Sequence, residues 1–120
     1  MNTPVYDFLI QYAERDPVRL HMPGHKGRFG APALQRATTL DLTEITGADS
    51  LFEAEGILAE SERNAASLYG TAYTFYSCGG STLCIQTMLL LMKQQGRAVL
   101  AARNVHRAFL NTCVLLDLPV

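Results

Sequence analysis

Two glycines followed by two hydroxyl residues stand near the middle of the chain, at Gly79, Gly80, Ser81 and Thr82. An aromatic and β-branched run precedes them and a long apolar run follows, so the pattern predicts a strand that turns directly into a helix. Such a corner presents unpaired backbone N–H groups, two hydroxyls and the positive end of a helix dipole at one place. This arrangement is typical of a site that holds a phosphate.

The same four residues also suit an ordinary turn into a capped helix, because glycine permits sharp turns and Ser and Thr are common helix caps. The spacing contains neither the GxxxxGK[ST] pattern nor GxGxxG. Nucleotide binding through those two devices is therefore disfavoured. Phosphate binding and a plain capped turn both stay open at this point.

His106 is the second candidate for chemistry, and it follows a second predicted strand. In an open parallel sheet, ligands gather beyond the carboxyl ends of the strands, so we expect His106 on the same rim as residues 79–82. An imidazole there can stack on an aromatic ligand or titrate near neutral pH. The alternative is a surface histidine at the start of a helix that Asn104 caps.

The stretch RLHMPGHKG at residues 19–27 places two histidines, a lysine, a proline and two glycines together. This composition predicts an irregular loop with chemically capable side chains. The three cysteines, Cys78, Cys84 and Cys113, form neither a CxxC pair nor an even disulfide framework. We therefore expect no metal site.

Composition narrows the class of protein. The 120 residues are 48% hydrophobic and carry a formal charge of -1, which suits one domain, or part of a larger one, without a global field for nucleic acid or an anionic membrane. The N-terminus lacks the pattern of a signal peptide, and the apolar run at 89–92 is too short to span a bilayer. We expect a cytoplasmic protein.

The elements that position these residues follow from periodicity and from breakers. Helices are predicted from Thr3-Pro4 to before Pro17, over 57–69 with Gly70 as the stop, over 81–95 and over 105–116. Strands are predicted at 73–77 and 97–102, and residues 38–56 are expected to be irregular or a short helical turn. The order predicts an α/β fold, in which an N-terminal helical segment precedes β-α-β-α units with parallel strands and a right-handed crossover.

Four linked motifs carry a family resemblance, namely HMPGHKG at 21–27, TEITGADSLFEAEGILAESERNAASLYG beginning at 43, SCGGST at 77–82 and ARNVHRAF at 102–109. Together they resemble the N-terminal part of the Orn/Lys/Arg decarboxylase family over nearly the whole chain. These enzymes use pyridoxal phosphate, have the aspartate-aminotransferase fold and decarboxylate basic amino acids. The resemblance implies an incomplete parallel-type sheet that begins a cofactor-binding large domain.

By this resemblance, Gly79, Gly80, Ser81 and Thr82 match the family's Gly-Thr-Ser-Thr corner, where the serine donates to the cofactor phosphate. Gly80 departs from the pattern, because a threonine is common there. His106 matches the histidine that stacks on the cofactor ring.

The resemblance also implies two segments, residues 1–56 as an N-terminal helix and loop region and residues 57–120 as the truncated start of the cofactor-binding domain. The family's Schiff-base lysine lies further downstream than residue 120. We therefore expect an N-terminal fragment that is inactive alone, takes a basic amino acid only within the complete enzyme, and forms homo-oligomers. The alternative is a non-catalytic binding or assembly module derived from the same scaffold.

Overall fold

A computed structural model describes residues 2–119, and these form five α-helices. The helices are α1 (Pro4–Glu14), α2 (Pro32–Leu40), α3 (Ile57–Tyr69), α4 (Gly80–Gln94) and α5 (Arg107–Leu115). The chain divides into two compact units, the first ending at Tyr76 and the second beginning at Ser77. The predicted division into residues 1–56 and 57–120 rests on the resemblance to longer proteins of the family. It is a different division from these two units, and it stays a prediction.

The predicted α/β fold is wrong, because the part of the chain that the structure describes is all-helical and contains no strand or sheet. Residues 73–77 and 97–102 have strand-like composition but no regular secondary structure. Strand propensity reflects packing on a pleated surface and pairing with a neighbouring strand, and neither segment has such a neighbour here. Tyr73, Phe75 and Leu100 accordingly stay exposed, at 78%, 79% and 101% of their full surface.

All four predicted helices are confirmed with small shifts of their ends. Helix α3 spans the predicted residues and ends at Gly70, whose φ of 65° lies in the left-handed region. Helix α1 begins with a proline at its first position, as predicted. Thr3 and Asp7 close this end, because both the backbone N–H and the hydroxyl of Thr3 donate to the Asp7 carboxylate.

Helix α2 was not predicted from the sequence. No helix was predicted over residues 28–37, whereas Pro32 occupies the first turn of α2. The fixed φ of proline suits that position, and its missing N–H has no helical partner there in any case. In the first unit, α1 packs against both α2 and α3.

The second unit is built around the pair α4 and α5, which pack on each other. Its core consists of Leu89 from α4, Cys113 from α5 and Leu118, and partly buried apolar side chains surround them, namely Ile85, Val99, Phe109 and Leu116. Val99 comes from the second predicted strand, so that segment contributes to the core without forming a strand. No helix among the described residues is long and apolar enough to cross a membrane.

Candidate functional site

The glycine corner forms the start of α4. Gly79 is the N-cap residue and Gly80 is the first helical residue, with a φ of 65° that favours glycine. A Cβ atom on Gly79 would lie 2.5 Å from the Leu83 side chain, whereas one on Gly80 would meet nothing within 4 Å. The first glycine therefore permits close packing against the helix, and the second permits the left-handed backbone.

Among the described residues, no side chain caps α4. The hydroxyls of Ser81 and Thr82 were expected to do so, but both residues lie inside the first turn, beyond the N-cap position from which a hydroxyl reaches the free amides. Gly79 N–H is the exception at this corner, because it donates to the Ser77 hydroxyl oxygen over 3.2 Å. The first-turn amides and the two hydroxyls of α4 therefore face solvent at the positive end of the helix dipole.

His106 is the N-cap residue of α5. Its Nδ1 accepts a hydrogen bond of 3.2 Å from the backbone N–H of Ala108, which places the proton of the neutral ring on Nε2. The histidine thus takes the capping role that the alternative interpretation gave to Asn104. The side chain is exposed, so a face of the ring is accessible.

The part of the chain that the structure describes contains no sheet, so the expected common rim for the corner and His106 is not found. The ammonium of Lys93, near the end of α4, donates to the carbonyl oxygen of Leu116, directly after α5. Because α4 and α5 also pack together, their carboxyl ends are adjacent. Residues 79–82 lie at the amino-terminal end of α4 and His106 at that of α5, and no hydrogen bond of the described residues joins them.

The loop at 19–27 belongs to the first unit, and its polar side chains bond to the chain itself. His25 Nε2 lies 3.0 Å from an Asp41 carboxylate oxygen, and His21 Nε2 lies 2.6 Å from the Tyr12 hydroxyl. The ammonium of Lys26 donates to the carbonyl oxygen of His21. Within residues 2–119, no group of three or more His, Cys, Asp or Glu side chains is placed to hold a metal ion.

Asp49 is a structurally important residue whose role was not predicted from the sequence. Its carboxylate accepts hydrogen bonds from the backbone N–H groups of Ser50, Glu55, Gly56 and Leu58, at 2.9 to 3.2 Å. Partial burial of the carboxyl favours a raised pKa. The four hydrogen bonds outweigh this effect and lower the pKa of Asp49 from its ordinary value of 3.8 to about 2. The only sequence signal was an aspartate, favoured in turns, shortly before a helix without a capping side chain.

A family model described as Orn/Lys/Arg decarboxylase, major domain, matches residues 3–119. The chain therefore belongs to this family, as its motifs indicated.

Individual relatives agree with this assignment. The chain is 34% identical over 113 residues to the uncharacterized protein YaaO of Bacillus subtilis, a match that covers 90% of this chain and 24% of YaaO. It is 32% identical to an arginine decarboxylase of Halalkalibacterium halodurans, a match that covers 93% of this chain and 24% of that decarboxylase. It is 24% identical to the lysine decarboxylase LdcA of Pseudomonas aeruginosa, a match that covers 93% of this chain and 16% of LdcA.

The chain spans about a quarter of the length of the first two relatives. Among solved structures, none gives a significant match.

Proposed function

We propose that this chain is the cofactor-phosphate part of a pyridoxal-phosphate-dependent decarboxylase of basic amino acids. The family membership of residues 3–119 supports the reaction class. The observation that carries the proposal is the start of α4, where uncapped amides, a left-handed glycine and two exposed hydroxyls meet.

The residues at this corner fit a phosphate group. Backbone N–H groups at a helix N-terminus bind anions without a charged side chain, and hydroxyls donate further hydrogen bonds. In this proposal Ser81 and Thr82 donate their hydroxyls, while Gly79 and Gly80 let the phosphate approach the main chain. A threonine at position 80 would be strained at the observed φ, so this chain relies on the backbone where other members of the family use a hydroxyl.

His106 provides a planar ring at the start of α5, and in the proposal it stacks on the cofactor ring. Its hydrogen bond to Ala108 N–H fixes the imidazole at the helix start and keeps it available as a flat surface. When bound, pyridoxal phosphate supplies the electron sink for decarboxylation. The residues of this chain bind and orient the cofactor.

We further propose that the 120-residue chain is inactive alone and acts as part of a longer cytoplasmic enzyme. Its only lysines are Lys26 and Lys93, and both ammonium groups donate to backbone carbonyl oxygens. Neither is placed as a free amine for covalent attachment of the cofactor. Arginine is the first substrate to assay in the longer enzyme, because an arginine decarboxylase relative shares 32% identity with this chain and a lysine decarboxylase relative shares 24%.

Inorganic phosphate tests the corner directly. One helix end with two hydroxyls contributes on the order of 1 to 3 kcal/mol, so we expect millimolar or weaker binding. A titration followed by NMR should shift the backbone amides of residues 79–83. Ser81→Ala should weaken binding by about fivefold, the effect of one hydrogen bond of about 1 kcal/mol.

Thr87→Val is the matched control, because it removes an exposed hydroxyl from the middle of the same helix and should leave phosphate binding unchanged. Shifts confined to other parts of the chain, or equal weakening by both substitutions, would contradict the assignment.

A further inference from the structure

We propose that residues 19–27 act as a clasp between α1 and α2, with His21 and His25 locked in opposite neutral tautomers. The sequence marks these residues as chemically capable, yet their hydrogen bonds are directed at the chain itself. The inference concerns the first unit alone and does not depend on the phosphate corner. It gives the histidine and lysine side chains of the loop a positioning role.

His21 connects the loop to α1. Its Nδ1 faces the carbonyl oxygen of Met22, which can only accept, so Nδ1 carries the proton. Its Nε2 then accepts from the hydroxyl of Tyr12, 2.6 Å away. The two rings meet edge to face, with 5.9 Å between centroids. The neutral ring is therefore held in the Nδ1–H form.

His25 connects the loop to the end of α2 through the opposite tautomer. The backbone N–H of Gly27 donates to His25 Nδ1 over 3.0 Å, so the proton of the neutral ring is on Nε2. Nε2 in turn donates to a carboxylate oxygen of Asp41, the C-cap residue of α2. Both ring nitrogens are thus engaged, and neither is free to act as a base on a bound ligand.

Gly27 fixes the end of the clasp against Arg19. Its carbonyl oxygen accepts from the Gln35 side chain over 2.7 Å, and its φ is 74°. A Cβ atom here would lie 2.6 Å from Cζ of Arg19. That guanidinium lies 5.1 Å from the centre of the Tyr12 ring and donates to the carbonyl oxygen of Thr39, so it cannot move away without breaking both contacts.

The ammonium of Lys26 completes the clasp by donating to the carbonyl oxygen of His21. Thr43 adds a link from the segment after α2, since its hydroxyl donates to the carbonyl oxygen of Met22 over 3.0 Å. The loop is therefore tied to α1 by one histidine and to the end of α2 by the other. Two neutral tautomers are required for this set of hydrogen bonds to form together.

The direct test is a long-range ¹H–¹⁵N NMR spectrum of the full chain labelled at histidine, recorded at about pH 8.5, where imidazoles are neutral. We expect the Nδ1–H pattern for His21 and the Nε2–H pattern for His25. His106, whose Nδ1 also accepts a backbone hydrogen bond, is the internal reference for the second pattern. The decisive ring is His21, because free histidine favours Nε2–H; an Nε2–H or averaged pattern at His21 would overturn the proposal.

A pair of glycine substitutions tests the clasp by a second route. Gly27→Ala should speed hydrogen exchange at the Lys26 and Arg28 amides by about tenfold or more, because the loop loses its contact with Arg19. Gly24→Ala is the matched control in the same loop, since a Cβ there meets nothing within 4 Å. Equal effects of the two substitutions would contradict the clasp.

Tyr12→Phe keeps the ring under Arg19 and removes only the hydroxyl that donates to His21. Because the carbonyl oxygen of Met22 still accepts from Nδ1, we expect His21 to keep the Nδ1–H form, with a changed ¹⁵N shift at Nε2, which loses its donor, and an unchanged pattern for His25. An unchanged Nε2 shift at His21 would contradict the link between the loop and α1.

Discussion

At the residue scale, Asp49 performs a task usually given to a capping residue adjacent to a helix. The N-cap residue of α3 is Gly56, which has no side chain to accept from the first-turn amides. The Asp49 carboxylate reaches them instead from seven to nine positions upstream, bonding both Gly56 and Leu58 N–H. Its charge also favours the positive end of the helix dipole. The loop before α3 is thereby tied to the helix.

Replacing Asp49 by asparagine should lower the melting temperature at pH 7. The carboxylate pKa is about 2 in the folded chain against an ordinary value of 3.8, so its stabilising effect is complete above pH 3.8. That effect is lost as the pH falls through the window between these two values. The difference in melting temperature between Asp49→Asn and the unmodified chain should therefore shrink as the pH approaches 2, as followed by circular dichroism.

Asp16→Asn is the control for this experiment, because the Asp16 side chain is exposed and makes no hydrogen bond within the described residues. The melting temperature of Asp16→Asn and its dependence on pH should both follow those of the unmodified chain. A constant difference between Asp49→Asn and the unmodified chain from pH 7 to pH 2 would contradict the role of the charge.

At the element scale, helix ends are set by single residues with special backbone geometry. Gly70 ends α3 in the left-handed region, and the Thr71 N–H following it donates to the carbonyl oxygen of Ala66. This is the pattern by which glycine satisfies the last carbonyls of a helix. Because a side chain is disfavoured at this φ, the position depends on glycine.

Gly70→Ala should destabilise the chain by about 1 kcal/mol, the ordinary cost of a left-handed conformation for a residue with a Cβ. A Cβ at position 70 would meet nothing within 4 Å, so the effect isolates backbone strain from steric overlap. The measurement is the midpoint of urea unfolding. Gly30→Ala, where the site is equally open and φ is not positive, should be neutral or slightly stabilising. Equal destabilisation by both changes would contradict this account.

At the scale of the whole molecule, α4 leaves much apolar surface uncovered within the second unit. Leu89 is fully buried, whereas the side chains of Met88 and Leu91 are 52% and 51% exposed. On α5, Val114 is 84% exposed. Soluble monomers rarely expose large contiguous apolar patches. We therefore propose that the chain self-associates through the face of α4 that carries Met88 and Leu91.

Substitution of Met88 or Leu91 by lysine should therefore produce a monomer at micromolar concentration, measured by sedimentation, while the helical circular dichroism is kept. Gln94→Lys, at the exposed end of the same helix, is the control for added charge. Leu89→Ala should instead unfold or destabilise the chain by about 2 to 5 kcal/mol, because it opens a cavity in the core. A well-folded monomer of the unmodified chain would contradict self-association.

The sequence by itself determined most helices and the family. Helical spacing of apolar residues, prolines at first positions and a glycine stop depend on neighbours along the chain, so α1, α3, α4 and α5 were predictable from local signals. The motifs at 21–27, 43–70, 77–82 and 102–109 identified the Orn/Lys/Arg decarboxylase family, which the match over residues 3–119 confirms. The roles of residues 79–82 and of His106 towards a cofactor stay predictions.

Only the tertiary structure decided that residues 73–77 and 97–102 form no strands, which partners the 19–27 loop bonds, and that Asp49 caps α3. A strand exists through pairing with a segment distant in sequence, so the composition of residues 73–77 and 97–102 could not establish a sheet. The bonding partners of His21 and His25, Tyr12 and Asp41, lie 9 and 16 positions away along the chain. Local pattern reveals that such side chains can form hydrogen bonds. Folding selects their partners, because the packing of α1 against α2 and α3 determines which donors and acceptors meet.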